Sequence, residues 1–295
     1  MTAPDQPPDP ALGLYGPGSV AWKVGREAVI LGAGPCALLL QIAHPLVAQG
    51  VAQHSRFEED PFGRLRGTIQ TTFDIVFGDL GRAERAVRRL NGIHAQVRGL
   101  VDDPVTRAVG GDRYRALDPA LLLWVQATLV WTSIVAFERW VGPLTRDERE
   151  RYWWETRQVG ARLGIPLHQS PVDWAAFERY WDSMLAHDGP VRVSPTARGL
   201  APAILRPQFP LVPGPVTDLL ALPAISILPE RIREEFDLPW GAGRGRLVAV
   251  GDRVLRLYVN TLPRSWRSLP QARAAERRVR LARITSLDAE TRAAA

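Results

Sequence analysis

Apolar positions recur along most of this chain at three- and four-residue spacing, the period of one helical face, and few runs alternate at every second residue as a half-buried strand would. The pattern predicts a mainly α protein. Trp22–Ala48 is apolar with a Gly32-Ala33-Gly34-Pro35 break, which predicts two buried helices joined by a kink. Asp60–Phe77 and Arg82–Val101 are amphipathic, the second placing Val87, Leu90, His94, Val97 and Val101 on one stripe. These three segments are expected to pack together. Asp118-Pro119 opens an uncharged stretch, Ala120–Phe137, at the short limit for a membrane span and better read as a buried central helix. Thr145 and Glu148 form a capping-box pattern that starts a helix through about Leu163, closed by Gly164 and Pro166. Pro171–Ala186 reads as a further helix. Recurrent prolines from Val191 to Pro239 predict short helices and loops, and Arg244–Tyr258 and Gln271–Thr291 predict the last helices.

Composition narrows the class without changing the helical reading. With 295 residues, 46% hydrophobic and 23% charged, the chain is long enough to bury roughly three quarters of its unfolded surface. A single domain over 21–285 is expected, after a disordered Pro-rich leader (1–20) and before a flexible tail (286–295). Met1–Val20 lacks the basic start and apolar centre of a secretion signal, and a cytoplasmic location is expected. One cysteine, Cys36, excludes an internal disulfide and every Cys-rich metal site. All the basic residues are arginine except Lys23. Residues 241–295 carry 12 Arg against 4 acids, whereas the remainder is nearly neutral. Such a tail suits either a solvated helix face or weak peripheral contact with an anionic membrane. No aromatic signature for specific nucleic-acid binding accompanies it.

Two chemical candidates stand out. Val29-Ile30-Leu31-Gly32-Ala33-Gly34-Pro35-Cys36-Ala37 matches the strand-then-GxGxxA fingerprint of flavin- or NAD-linked oxidoreductases. The fingerprint is meaningful only inside a βαβ unit, and no such alternation follows. The second candidate is His94, mid-helix on an apolar stripe. An imidazole buried there needs a hydrogen-bond partner or a metal to satisfy its nitrogens, so it is either a satisfied core histidine or a ligand. His44, just before Pro45, is either bonded to a backbone carbonyl or a proton donor in a pocket. His54 could assist it; His168 and His187 lie in loop contexts without an assigned role. The tryptophans, Trp124, Trp131 and Trp181 among them, read mostly as core packing, with an apolar substrate tunnel as the alternative.

Read in order, Arg26-Glu27-Ala28-Val29, Gln41-Ile42-Ala43-His44-Pro45-Leu46-Val47-Ala48, His54-Ser55, Asp60-Pro61-Phe62-Gly63-Arg64-Leu65-Arg66-Gly67-Thr68, Val76-Phe77-Gly78-Asp79, Ile93-His94-Ala95-Gln96-Val97-Arg98-Gly99, Leu121–Leu129 and Leu238-Pro239-Trp240 resemble the MpaB and rubber oxygenase (latex clearing protein) family. The resemblance implies a globin-like helical fold around haem b. It also implies dioxygen-dependent chemistry on a small hydrophobic, unsaturated or isoprenoid-like substrate. His94 falls at the proximal iron ligand of the rubber oxygenase branch, and Arg64 with Thr68 at an Arg-x-x-x-Thr pair of the haem pocket. Four residues apart on a helix, those two share a face. Under this reading His94 holds the metal, Arg64 and Thr68 bind haem and steer oxygen, and His44 is a candidate catalytic proton donor or distal ligand. Two positions depart from the pattern: Gly67, where the latex-clearing branch can carry a distal lysine, and Gln126, where a histidine is expected. Those departures keep open a non-catalytic haem-binding or gas-sensing protein, beside the flavin- or NAD-linked alternative.

Overall fold

The computed structural model describes residues 11–54, 61–206 and 214–293. The chain runs through α1 (Val20–Gly25), a 3-10 helix (Ala28–Ala33), α2 (Gly34–Ala43), α3 (Pro45–His54), α4 (Pro61–Phe77) and α5 (Leu80–Gln96). A two-stranded antiparallel ribbon of β1 (Arg98–Leu100) and β2 (Arg113–Arg115) encloses α6 (Pro104–Gly110). There follow α7 (Pro119–Trp140), α8 (Arg146–Arg162), α9 (Trp174–Leu185), α10 (Pro195–Leu205), α11 (Gly214–Ile227), α12 (Glu230–Glu235), α13 (Ala242–Thr261), α14 (Arg264–Arg267) and α15 (Pro270–Ala293). The fold is all-α, with that short ribbon as its only sheet among the described residues.

The central helix is α7. Asp118 caps it, accepting from the amide of Ala120, and α1, α2, α8, α11, α13 and the 3-10 helix pack around it. Its length and apolar composition would let it cross a membrane, yet Leu123, Trp124, Ala127, Val130, Ile134, Phe137 and Trp140 are spent on the protein's own core. Trp181 of α9 stacks between Trp124 and Trp131, with ring centroids 5.4 and 4.5 Å apart. The Trp124 indole also donates to the Leu40 carbonyl, at 3.1 Å. These rings pack α7 against α2 and α9. The capping box at Thr145 and Glu148 forms as the sequence predicts, and Lys23 bonds Glu148 at 2.5 Å, tying α1 to α8.

Ala28–Ala33 is a 3-10 helix and the glycines that follow open α2, so the segment is helical on both sides of the break and the dinucleotide alternative lacks the strand it requires. Instead, Arg26-Glu27 builds a staple. Glu27 is almost fully buried, 3.5 Å from Arg26 and 3.3 Å from Arg267, and the Leu269 amide donates to the Arg26 carbonyl. The helix expected to reach Val101 stops at Gln96 because Val97 turns extended, and Gly99 then pairs with Tyr114. A Cβ on Gly99 would lie 2.7 Å from both the Tyr114 hydroxyl and Gln53 Oε1, so the ribbon needs glycine there. Residues 1–10 of the expected leader lie outside the described residues. Tyr15 is already buried and Val20 begins α1, so the packed body starts before residue 21. At the other end α15 continues to Ala293, through most of the expected tail. Ala272, Ala275 and Val279 are buried, and Arg278 donates to the carbonyls of Phe77 and Ala11.

Candidate functional site at the open end of the α4–α5 hairpin

α4 and α5 are joined by Gly78-Asp79, with Asp79 accepting from the Arg82 amide as the N-cap of α5. So tight a turn makes the two helices antiparallel neighbours. Arg82 bonds Asp74 at 2.7 Å near the turn, and Arg89 bonds the Thr71 hydroxyl at 3.1 Å two turns further out. Both helices advance by the same rise per residue. Continuing past Thr71 and Arg89 in the same register brings Thr68 of α4 level with about Gly92 of α5, and His94 level with about Arg66. The hairpin sets Thr68 and His94 toward the same end, the one away from the turn. Thr68 is exposed, and a Cβ built on Gly67 or Gly92 would meet no atom within 4 Å. Arg64 lies one turn further along α4 by its backbone; its side chain is outside the described residues.

His94 faces inward from this end. One turn before it, the Asn91 amide donates to the Arg162 carbonyl at the close of α8. One turn after it, Val97 packs against Leu46, Val101, Tyr114 and Leu121. The imidazole is half-buried; burial lowers its pKa, and its Nδ1 is buried with no hydrogen-bond partner. A neutral, half-buried imidazole near a helix end is a competent ligand through Nε2, the nitrogen that is not the buried Nδ1. Among the described residues no three His, Cys, Asp or Glu side chains converge on one point. A metal held by His94 would therefore bring its remaining ligands with it, as a porphyrin does. The residues present fit a single-histidine haem site.

Leu122, Gln126 and Leu129 share one face of α7 by their four- and three-residue spacing: Leu122 is buried in the core, Gln126 is half-buried, and Leu129 is 47% exposed. Leu122 lies beside Gly164, two residues from the carbonyl that Asn91 reaches. Gln126 is committed to α8: its amide donates to the Thr156 carbonyl at 2.6 Å and its side chain fills the space over Gly160.

His44 occupies a different place. It ends α2 and precedes Pro45 of α3, is 6% exposed, and has its pKa lowered to about 4, because burial outweighs the opposing charge of Asp118. Its Nδ1 also lacks a partner, so the expected bond to a backbone carbonyl is not made there. It lines a cavity of about 320 Å³ with Pro119, Ala120, Leu123, Gln169, Tyr180, Met184 and Pro190. His94 is not part of that lining. On α7 the cavity touches residues 119, 120 and 123, while Leu122, Gln126 and Leu129 lie on another face. His54 is elsewhere again, its Nε2 3.1 Å from the Arg98 carbonyl and its ring edge-on to Tyr114. Beside it, Gln49 and Gln53 both bond Asp102, and Tyr114 donates to Gln53 Oε1. This network fastens the ribbon to α3. Sequence reading missed Asn91 and Leu129: an asparagine one turn from His94 and a leucine in an apolar run give no periodic signal.

Residues 22–262 match the model of the family described as ER-bound oxygenase mpaB/B'/Rubber oxygenase, catalytic domain. The chain belongs to the mpaB/rubber oxygenase family. Uncharacterised proteins of Mycobacterium bovis and Mycobacterium tuberculosis are each 30% identical to it over 241 residues, covering 78% of this chain and 89% of theirs. No solved structure matches it. The family match takes in α1 through α13, and so contains every element that builds the α4–α5 site and the His44 cavity.

Proposed function

We propose that this member of an oxygenase family is a haem b enzyme that uses dioxygen on a small, hydrophobic, unsaturated substrate, with His94 as the residue that would hold the iron. The observation that supports the reading is the half-buried, neutral imidazole of His94 near the end of α5, with its Nδ1 buried and unbonded, toward the same end of the hairpin as Thr68. When bound, haem supplies the site where dioxygen is activated. The chain's own residues do the rest. His94 holds the ring in place and, being neutral, offers a lone pair at physiological pH. Thr68 offers a hydroxyl donor at the exposed rim, and Arg64, by its position on α4, offers a cation suited to a propionate or to bound oxygen. Leu129, exposed on α7, gives an apolar contact for a hydrophobic chain. With glycine at 67 no lysine side chain reaches over the site from that position, leaving room on that side for a substrate.

The test is titration of haemin into the purified full chain. One equivalent should bind with a Soret band, and the reduced protein should give a carbon monoxide complex. A chain that takes up no haem, or that carries a flavin absorption pair in its place, overturns the reading.

A further inference from the structure

The site does not account for the outer face of α13. Its inner row, Val248, Asp252, Leu255 and Val259, recurs at four- and three-residue spacing and faces the body. Val248 and Val259 are buried, Leu255 packs on the core, and Asp252 bonds Arg139 and the Trp140 indole. Those contacts fix which side of the helix is outward. On that side Leu247, Val250, Val254, Leu257 and Tyr258 recur at three- and four-residue spacing, each half to two-thirds exposed. They form one aliphatic stripe of roughly 16 Å along the helix. Trp266 of α14 follows, 78% exposed. Single exposed leucines are ordinary in a soluble domain, but a contiguous stripe of this kind marks a contact surface.

Charge identifies the occupant. Between Ala242 and Arg267 there are six arginines and one acid, Asp252, which is turned inward to Arg139. Arg246, Arg253 and Arg256 flank the stripe on one side at 100° per residue, and Arg253 and Arg256 form no ion pair with any described residue. A second copy of the chain related by a two-fold axis would bring the same arginines together with no carboxylate opposite. An anionic bilayer offers both an apolar depth for the aliphatic row and phosphates for the rim. Tyr258 and Trp266 have the amphipathic rings that settle at headgroup level. We infer that the outer stripe of α13, continued by Trp266, docks the protein in the plane of an anionic membrane surface, with Leu247, Val250, Val254 and Leu257 entering the acyl boundary and Arg246, Arg253 and Arg256 meeting lipid phosphates. The inference does not depend on haem.

The test is sedimentation of the full chain with phosphatidylcholine vesicles, with and without phosphatidylglycerol, at low and high salt. The wild-type chain should pellet with the anionic vesicles and much less with the neutral ones, and salt should weaken but not abolish binding, because the aliphatic part is not screened. The double variant Val254→Asn, Leu257→Asn should bind at least about tenfold more weakly while melting within a few degrees of wild type, since both side chains point to solvent. Arg253→Gln with Arg256→Gln should lose the preference for anionic vesicles. Three results overturn the inference: a wild-type chain that stays in the supernatant with anionic vesicles, a stripe variant that pellets as well as wild type, or a chain indifferent to vesicles whose stable dimer the stripe variant splits into monomers. Removal of α15 would be a poor test, because Arg278 and the buried Ala272, Ala275 and Val279 tie that helix to the body.

Discussion

His44 and His94 have the same chemistry and a similar sequence setting, yet the fold gives them opposite surroundings. Both sit among apolar residues, both have their proton affinity reduced by burial, and both leave Nδ1 without a partner. His44 is enclosed where α2 meets α3, against the 119, 120 and 123 face of α7, and looks into a cavity of about 320 Å³. His94 stands half-buried two residues from the end of α5, between Asn91, which reaches α8, and Val97, which packs inward. Burial and a lowered pKa therefore do not single out an iron ligand. The distinguishing feature is exposure: the His94 imidazole is half-exposed near a helix end, whereas His44 is buried against a cavity whose volume suits a small ligand.

The largest effect that sharpens this contrast is on the pH dependence of stability. His44 binds its proton more weakly folded than unfolded, with pKa about 4 against an ordinary 6.5. As pH falls below about 6.5 the unfolded chain takes up the proton first, so stability drops until about pH 4, where the folded state binds it too. The cost over that window is roughly 3 kcal/mol. His44→Gln should remove it, so the difference between variant and wild type in urea midpoints should grow in the variant's favour from pH 7 to pH 4. A pH-independent difference would show that His44 is charged or solvated in the folded protein. A smaller effect tests the openness of the other region. Gly67→Lys replaces a poor helix former with a good one where no atom crowds the new side chain, so it should stabilise by roughly 0.5–1 kcal/mol. Destabilisation measured by denaturant would mean that the hairpin end is closed. In the haem-loaded variant, a spectral shift would report that the new amine reaches the metal.

The sequence made the helices legible where local chemistry marked their ends. Thr145 with Glu148 and Asp118-Pro119 cap helices where the sequence places their starts. His94 was visible as the one polar residue on an apolar stripe. The β1–β2 ribbon was not, because three-residue strands with Arg98, Arg113 and Arg115 facing out show no hydrophobic period. Thr68 and His94 lie far apart in the chain, and only the antiparallel α4–α5 pairing, fixed by Asp74–Arg82 and Thr71–Arg89, brings them toward the same end. The outer stripe of α13 was hidden for the converse reason. Its aliphatic residues fit the same helical period as the inner row, and pattern alone does not say which row the body covers.

The central claim is that His94, and not His44, holds the prosthetic group. The most direct measurement is the haem stoichiometry of His94→Ala and His44→Gln beside wild type, after identical loading with haemin and removal of the excess by gel filtration. The account predicts near-equal loading and an unchanged Soret band for His44→Gln. For folded His94→Ala it predicts either loss of most of the haem or weakly retained haem with an altered Soret band that imidazole added to solution moves back toward the wild-type spectrum. Wild-type haem content and spectrum in His94→Ala, or loss confined to His44→Gln, would contradict it.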